Sequence, residues 1–243
     1  QDLRVPYFVS QNKYSFQQAD FVFFLAFDVG GSVYLREYDK KKEFIDNNVL
    51  IMYNTFKMLE EYNKPFIFAS TQMTNMVHSN YGTLKNIGES YTRTLDGLIV
   101  KFWNIYGPEK QLDKAHVITD FIVSAIRDKQ VSMLTTGEET RQFMYVEDCC
   151  EALYRLSLLY PNWDKTKNYN ISSFEWVTIE NIAQIISEKM NVPYVKGQML
   201  DDNQKGIQNN PDPHMLSLWQ PRTSLSDGIQ KVIEETIDAY SKR

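Results

Sequence analysis

A tyrosine and a lysine four residues apart, Tyr81 and Lys85, are the side chains whose types and spacing could best carry out proton transfer. On a helix, residues four apart share a face, so the phenol and the ammonium would point into one site. A free tyrosine titrates near pH ~10, and a nearby fixed cation favours its phenolate. The pair could therefore accept and donate a proton at neutral pH, although this spacing also arises by chance on many helices.

The elements that would position this pair alternate between strands and helices. Short apolar runs predict strands at residues 21–27, 65–69, 98–102, 131–134, 143–146, 168–171 and 192–195. Helical spacing of apolar residues predicts helices at 39–63, 81–95, 115–127, 147–160, 178–190 and 225–239. This alternation indicates a parallel sheet with helices on both faces, the α/β class.

Polar and glycine residues follow several of the predicted strands. Thr71, Asn104 and the loop at Gly30-Gly31 all come at carboxyl ends, and the helix with Tyr81 follows Thr71. Ligands of such sheets bind beyond the carboxyl ends of the strands. We therefore expect these residues to meet at one edge of the sheet.

The composition gives no reason to expect a highly charged partner. The 243 residues are 43% hydrophobic and 23% charged, and the net charge of -5 argues against nucleic acid and anionic membranes as partners. No apolar run approaches the ~18 residues of a membrane span. Cys149 and Cys150 are adjacent and form no disulfide framework, which favours the reducing cytoplasm. His78, His116 and His214 show no ligand spacing, so no metal is predicted.

Nine short motifs are spread along nearly the whole chain. They are Asp2-Leu3, Phe24-Leu25-Ala26-Phe27, Asn48, Ser70-Thr71, Tyr81-Gly82-x-x-Lys85, Lys101-Phe102-Trp103-Asn104-Ile105-Tyr106-Gly107-Pro108, Arg141-Gln142-Phe143-Met144-Tyr145-Val146-Glu147-Asp148, Tyr169-Asn170-Ile171 and Thr223-Ser224-Leu225. In this order they resemble the extended short-chain dehydrogenase/reductase family, the NAD-dependent nucleotide-sugar epimerases and dehydratases.

The resemblance implies a Rossmann-like doubly wound parallel sheet with a smaller C-terminal α/β substrate domain. Residues 1–108 would form the NAD-binding domain, to which 143–172 return, while 109–142 and 173–243 would mainly form the substrate domain. The family's Gly-x-x-Gly-x-x-Gly turn and first strands have no counterpart here, so we expect them upstream of Gln1. The segment between Thr71 and Tyr81 is also shorter than in the family.

The resemblance assigns roles to individual residues. Tyr81 would take the proton of the sugar 4-hydroxyl while NAD accepts hydride, Lys85 would lower the pKa of Tyr81 and bind the nicotinamide ribose, and Thr71 would hold the substrate hydroxyl. Asn104 and Arg141 would bind the substrate diphosphate. The residues implied in cofactor binding are Asp2, Leu3, Leu25, Ala26, Asn48, Ser70, Tyr81 and Lys85. NADP remains open, because the selecting residue would lie in the missing portion.

Two positions narrow the reaction. Gln72-Met73 occupy the positions where family dehydratases carry the Asp-Glu pair that acts as acid and base. The branch of the family that contains GDP-mannose 3,5-epimerase and GDP-fucose synthase uses a Cys near position 73, and Met73 cannot replace a thiol as acid or base. We therefore predict a 4-epimerase acting by transient oxidation at sugar C4. The alternatives are a 4-keto reductase or C4 dehydrogenase, and a non-catalytic degenerate member. The implied partners are a nucleotide-diphosphate sugar and a second copy of the chain, held through a four-helix bundle of the helices at 39–63 and 81–95.

Overall fold

A four-stranded parallel sheet forms the centre of the molecule. The structure is a computed structural model that describes residues 2–5, 13–76, 78–200 and 209–241. The sheet consists of Val22–Phe24 (β1), Phe66–Thr71 (β2), Leu98–Phe102 (β3) and Tyr169–Ile171 (β8), in the order β1-β2-β3-β8. β2 is buried along its whole length, as expected for the inner strand of a parallel sheet that is covered on both faces.

The remaining strands of the described residues form three two-stranded sheets. Asn104–Tyr106 (β4) runs parallel to Phe143–Tyr145 (β7), and Val131–Ser132 (β5) runs parallel to Tyr194–Val195 (β10). Thr140–Arg141 (β6) pairs antiparallel with Val177–Thr178 (β9). The β4–β7 pair places Asn104 and Arg141 near one another, because Asn104 is in register with Phe143.

Eight α-helices lie in the part of the chain that the structure describes. They are Lys13–Gln18 (α1), Ser32–Tyr38 (α2), Lys42–Glu61 (α3), Asn80–Thr94 (α4), Val117–Asp128 (α5), Val146–Leu158 (α6), Ile179–Met190 (α7) and Leu225–Ser241 (α8). Short 3₁₀ turns occupy Gln72–Asn75, Leu112–Lys114 and Pro213–Ser217. No helix among these residues is both long enough and apolar enough to cross a bilayer.

The α/β class and the parallel sheet predicted from the sequence are confirmed. The helix predicted over 39–63 is confirmed as α3, which begins slightly later and ends slightly earlier than predicted, whereas the short helix α2 that precedes it was not predicted. The strand predicted at 98–102 is confirmed as β3, and Asn104, expected beyond its carboxyl end, begins the next strand, β4. Thr178 caps the start of α7, since its hydroxyl accepts a hydrogen bond from the Asn181 N–H at 3.0 Å.

Apolar side chains pack on both faces of the central sheet. On one face Phe56 of α3 and Leu84 of α4 share an apolar cluster with Phe68 of β2. On the other face Leu156 and Ile171 join α6 to it. A third apolar cluster is centred on α5, α7 and α8. The division of the chain into two domains at the predicted boundaries stays a prediction.

A short connection leads from β2 to α4. The 3₁₀ turn Gln72–Asn75 begins where β2 ends, and the Ser79 hydroxyl then accepts a hydrogen bond from the Gly82 N–H at 3.4 Å. A Cβ atom at Gly82 would overlap the carbonyl oxygen of Met73. Glycine at this position therefore allows the turn to pack directly against α4, which carries Tyr81.

Candidate functional site

A cavity of about 750 Å³ opens at the carboxyl ends of the strands. Thr71, Tyr81, Asn104 and Arg141, four of the predicted site residues, all line it. The Gly30-Gly31 loop and one face of α5 form part of its wall. The volume lies within the range of small-molecule sites, which are about 300–1,000 Å³. The cavity therefore brings together the residues to which a substrate was predicted to bind.

Tyr81 lies in the first turn of α4 and is partly buried. Burial raises the pKa of Tyr81 to about 12, and a hydrogen bond with the Thr71 side chain acts in the opposite direction without overcoming it. The ring packs edge-on against Phe27, with 5.7 Å between ring centroids. At neutral pH the phenol therefore holds its proton in this structure.

Lys85 is buried one turn further along α4, with only 4% of its surface exposed. Its ammonium donates a hydrogen bond to the Ala69 carbonyl oxygen at 2.6 Å. Burial alone lowers the pKa of Lys85 to about 7. The expectation that Lys85 lowers the pKa of Tyr81 is not met here, because the phenol is desolvated and Lys85 makes no contribution to its titration.

Asp39 holds the start of α4 in place. Its carboxylate accepts hydrogen bonds from the backbone N–H groups of Asn80 at 3.1 Å and Tyr81 at 2.8 Å, and from the Ser79 hydroxyl at 3.2 Å. A carboxylate at a helix N-terminus satisfies free N–H groups and interacts favourably with the helix dipole. Sequence reasoning missed Asp39, since it lies in the turn between α2 and α3, far from Tyr81 along the chain.

Thr71 and Ser70 end β2 and serve different neighbours. The Thr71 hydroxyl accepts a hydrogen bond from the Met73 N–H at 3.3 Å, which caps the following 3₁₀ turn. The Ser70 hydroxyl donates to Glu89 at 2.7 Å. Thr71 thus faces the cavity beside Tyr81 as predicted for a substrate contact, while Ser70 is buried behind it.

Asn104 begins β4, Arg141 ends β6, and both line the cavity. The Asn104 side-chain amide donates to the Gln142 carbonyl oxygen at 3.1 Å, and the Arg141 guanidinium donates to the Thr140 carbonyl oxygen at 2.7 Å. A guanidinium has five N–H donors in a planar fork that matches phosphate oxygens. The arrangement can therefore present cationic and amide donors to an anionic ligand.

Asn48, predicted to bind the cofactor, clamps the loop after β1. Its side-chain oxygen accepts a hydrogen bond from the Asp28 N–H at 2.7 Å, and its amide donates to the carbonyl oxygens of Asp28 and Phe44, each at 3.0 Å. Its side chain is fully buried. Asn48 therefore orients the β1 loop, and a direct contact with the cofactor stays a prediction.

The other predicted cofactor residues, apart from Ser70, belong to the N-terminal part of the chain. Leu25 is 47% exposed at the end of β1, with Ala26 beside it. Asp2 forms an exposed ion pair with Arg4, and the Leu3 carbonyl accepts a hydrogen bond from Asn54 at 2.7 Å.

The residues present fit the nicotinamide end of a dinucleotide. Leu25 offers exposed apolar surface at the carboxyl end of β1. The Lys85 ammonium has three N–H donors, and the Ala69 carbonyl oxygen is one acceptor for them. Donors therefore remain for ligand hydroxyl groups.

A titratable cluster on the α5 side of the cavity escaped the sequence analysis. The Glu109 carboxylate hydrogen-bonds the His116 ring at 2.7 Å and accepts from the His116 N–H at 2.9 Å. Burial, reinforced by the charge of Glu109, raises the pKa of Asp120 to about 6. His116 and Asp120 both line the cavity. Their spacing of four residues along α5 was the available signal.

Comparison with known proteins places this geometry in a family. Residues 10–172 match the model of the NAD dependent epimerase/dehydratase family. Curated relatives include UDP-glucuronic acid decarboxylase 6 of Arabidopsis thaliana, 28% identical over 141 residues that cover 56% of this chain and 40% of the relative. UDP-glucuronic acid decarboxylase 1 of Xenopus tropicalis is 24% identical over 139 residues, covering 56% of this chain and 32% of the relative. The aligned part thus spans less than half of these relatives.

Solved structures show the same fold at low sequence identity. The epimerase Mth375 of Methanothermobacter thermautotrophicus superposes with a TM-score of 0.86 at 17% identity, covering 100% of this chain and 78% of that chain. UDP-glucose 4-epimerase of Thermotoga maritima, solved with UDP-glucose, gives 0.78 at 20% identity and covers 99% and 84%. Because the family match covers more than half of the sequence, this chain belongs to the NAD-dependent epimerase/dehydratase family.

Proposed function

We propose that this protein is an NAD-dependent nucleotide-sugar epimerase that acts by transient oxidation at sugar C4, with Tyr81 as the acid/base. The observation that carries the proposal is the shared cavity: Tyr81, Thr71, Asn104 and Arg141 line one space at the carboxyl ends of the strands. NAD would supply the hydride acceptor. Lys85, Leu25 and Ala26 would hold its nicotinamide end, and Asp2, Leu3, Asn48 and Ser70 are further proposed contacts.

The chemistry of the chain is proton transfer and orientation. Thr71, already hydrogen-bonded to Tyr81, would hold the sugar 4-hydroxyl beside the phenol oxygen. Tyr81 must lose its proton before it can take one from that hydroxyl, and a cation brought close to the phenol would favour this. Returning the proton to the keto oxygen, with hydride delivered to the other sugar face, completes the inversion at C4.

Arg141 and Asn104, which also line the cavity, would bind the part of the substrate beyond the sugar. Arg141 and Asn104 would donate hydrogen bonds to the diphosphate of a nucleotide sugar. Gln72 and Met73 line the same cavity near Tyr81. Neither side chain titrates, so neither can act as acid or base for water elimination. This composition supports C4 redox chemistry over dehydration.

The test compares Tyr81→Phe with Tyr91→Phe, a change at an exposed tyrosine on the same helix. Each purified protein is incubated with NAD and a panel of UDP- and GDP-sugars, and C4 epimers are resolved by chromatography. Tyr81→Phe should lose at least about 100-fold in turnover, because a positioned acid/base contributes that much or more. Tyr91→Phe should keep its activity. Full activity in Tyr81→Phe would refute the proposed chemistry.

A one-way 4-keto reductase is the second candidate, and the protonated state of Tyr81 favours it. A phenol that holds its proton has one to donate to a keto oxygen, whereas an epimerase needs the phenolate for its first step. The two reactions differ in cofactor balance: an epimerase regenerates NAD, whereas a reductase consumes one NADH or NADPH for each product. Absorbance at the nicotinamide band during turnover separates them. A protein that converts no sugar and binds no dinucleotide would instead be a non-catalytic member.

We also propose a homodimer formed through α3 and α4. Apolar side chains on these helices face outward with exposures from 40% for Leu50 to 55% for Tyr53, and Ile87 and Tyr91 are similarly exposed on α4. In light scattering coupled to gel filtration, Tyr53→Glu should convert dimer to monomer. Tyr154→Glu, a change at a tyrosine 61% exposed on α6, is the control and should leave the dimer intact. A wild-type monomer would refute the dimer.

A further inference from the structure

Phe27 contacts both members of the proposed reacting pair. It follows β1 and is partly buried. The Lys85 ammonium lies 3.9 Å from the centroid of the Phe27 ring, over its face, while the Tyr81 ring meets Phe27 at 75° with centroids 5.7 Å apart. One side chain thus touches the phenol ring and the buried cation, although neither Phe27 nor Lys85 lines the cavity.

The Lys85 ammonium has little else to stabilise its charge. Besides the Ala69 carbonyl oxygen, its neighbours are the faces of Phe27 and, at 5.0 Å, Phe68. It pairs with no carboxylate among the residues that the structure describes. The faces of aromatic rings carry negative partial charge and attract cations, most strongly where water is excluded.

The charged groups near Lys85 are committed elsewhere. On α4, one turn beyond Lys85, Glu89 pairs with Arg93 at 2.7 Å and with Lys101 of β3 at 3.4 Å. In the β1 loop, Asp28 pairs with Lys114 at 2.6 Å. On the β2 side Lys85 meets only the Ala69 carbonyl and the Phe68 ring. Tyr81, one turn before it, is neutral at neutral pH.

We propose that Phe27 is a positioning residue for the proposed reaction: its ring face favours the ammonium form of Lys85 and holds it against Ala69, and its T-shaped contact fixes the ring of Tyr81. An aromatic ring does this in a buried site without supplying a countercharge. A carboxylate there would bind the ammonium and compete with a ligand for its free N–H donors. The inference rests on the proposed function only in naming Tyr81 and Lys85 as the reacting pair.

The experiment measures the titration of Lys85 directly. The purified protein is labelled with acetic anhydride at a series of pH values, and mass spectrometry follows the reactivity of Lys85 in wild type, Phe27→Leu and Phe27→Tyr. Phe27→Leu keeps an apolar side chain but removes the ring, so the midpoint should fall by about one pH unit. Phe27→Tyr keeps a ring face and should retain the wild-type midpoint. A merely structural role for Phe27 predicts no such separation.

A second variant guards against a folding defect in Phe27→Leu. Pentafluorophenylalanine placed at position 27 by suppression keeps the ring shape while reversing its charge distribution, and it should lower the midpoint as Phe27→Leu does. A midpoint unchanged in both variants would overturn the proposal. Tyr38→Leu is the matched control, since it removes the ring that lies 3.7 Å from the ammonium of the exposed Lys41. A shift of the Lys85 midpoint in Tyr38→Leu would also overturn it.

Labelling needs neither cofactor nor substrate, so the two proposals can fail separately. A lowered Lys85 midpoint together with no sugar turnover in any variant would retain the interaction of the Phe27 ring with Lys85 and remove the proposed reaction. If turnover is found, the acid limb of the kcat/KM profile should move with the Lys85 midpoint in Phe27→Leu. Turnover whose pH profile stays unchanged while the midpoint shifts would overturn the positioning role.

Discussion

Helix α4 buries two opposite charges one turn apart and surrounds them differently. The Glu89 carboxylate accepts a hydrogen bond from Ser70 at 2.7 Å and pairs with Arg93 at 2.7 Å and Lys101 at 3.4 Å. Lys85 is as deeply buried, but its recorded hydrogen-bond acceptor is a single backbone carbonyl. Glu89 lies away from the cavity, whereas Lys85 adjoins Phe27 and, through it, Tyr81.

The difference separates a structural charge from one suited to a ligand. A buried charge that is removed from water must be paired, or it shifts its pKa towards the neutral form. Glu89 follows the first course and ties α4 to β2 and β3. Lys85 follows the second, with a pKa lowered to about 7, and keeps donors for an incoming group. Strongly shifted pKa values of this kind concentrate at functional sites.

The largest expected effect on stability is that of Glu89→Gln. The change removes the partner of two cations, one of them partly buried, so the free energy of unfolding should fall by about 3 kcal/mol. Urea unfolding at pH 7 measures it. Glu60→Gln, at an exposed position of α3, is the control and should change stability by less than about 0.5 kcal/mol. Equal effects of the two changes would remove the distinction between Glu89 and an ordinary surface acid.

Lys85→Met should raise the free energy of unfolding, whereas Glu89→Gln should lower it. Because the folded state lowers the pKa of Lys85 from 10.5 to about 7, the unfolded chain binds more protons between these values. Wild-type stability therefore gains a contribution as pH rises through this window. Lys85→Met should be more stable than wild type by about 2 kcal/mol at pH 6.5, and the gap should close towards pH 10.

Urea unfolding of both proteins at pH 6.5, 8 and 9.5 measures this gap. Lys57→Met, on the exposed side of α3, is the matched control and should follow the wild-type curve. A gap between Lys85→Met and wild type that is the same at every pH would show that Lys85 is not desolvated as described.

The smallest of these effects is expected for Asp39→Ala. Loss of the cap on α4 should cost about 1 kcal/mol of stability. Sugar turnover should also fall, since Asp39 accepts a hydrogen bond from the N–H of Tyr81 itself. Asp46→Ala, on the surface of α3, should change neither. Thermal unfolding with parallel activity assays tests both parts, and unchanged turnover in a folded Asp39→Ala protein would contradict the positioning role.

Some features of α4 could be read from the residues and others could not. The spacing of Tyr81 and Lys85 correctly placed them on one helix, and the strand at 98–102 was predicted at its observed bounds. Helix α2 and the turn that follows it were not predicted. The turn serves a distant partner: it presents the carboxylate of Asp39 to the start of α4.

The sequence by itself determined the α/β class, the order of the elements and the types of the proposed reacting side chains, because periodicity and motif spacing act over a few turns of chain. Only the tertiary structure decided that Asp39 caps the helix of Tyr81, that Asn48 clamps a loop and that Phe27 covers Lys85. The structure also shifts the pKa of Tyr81 upwards, whereas a downward shift was expected. Titration depends on desolvation and on neighbours from distant parts of the chain, and neither is encoded in local spacing.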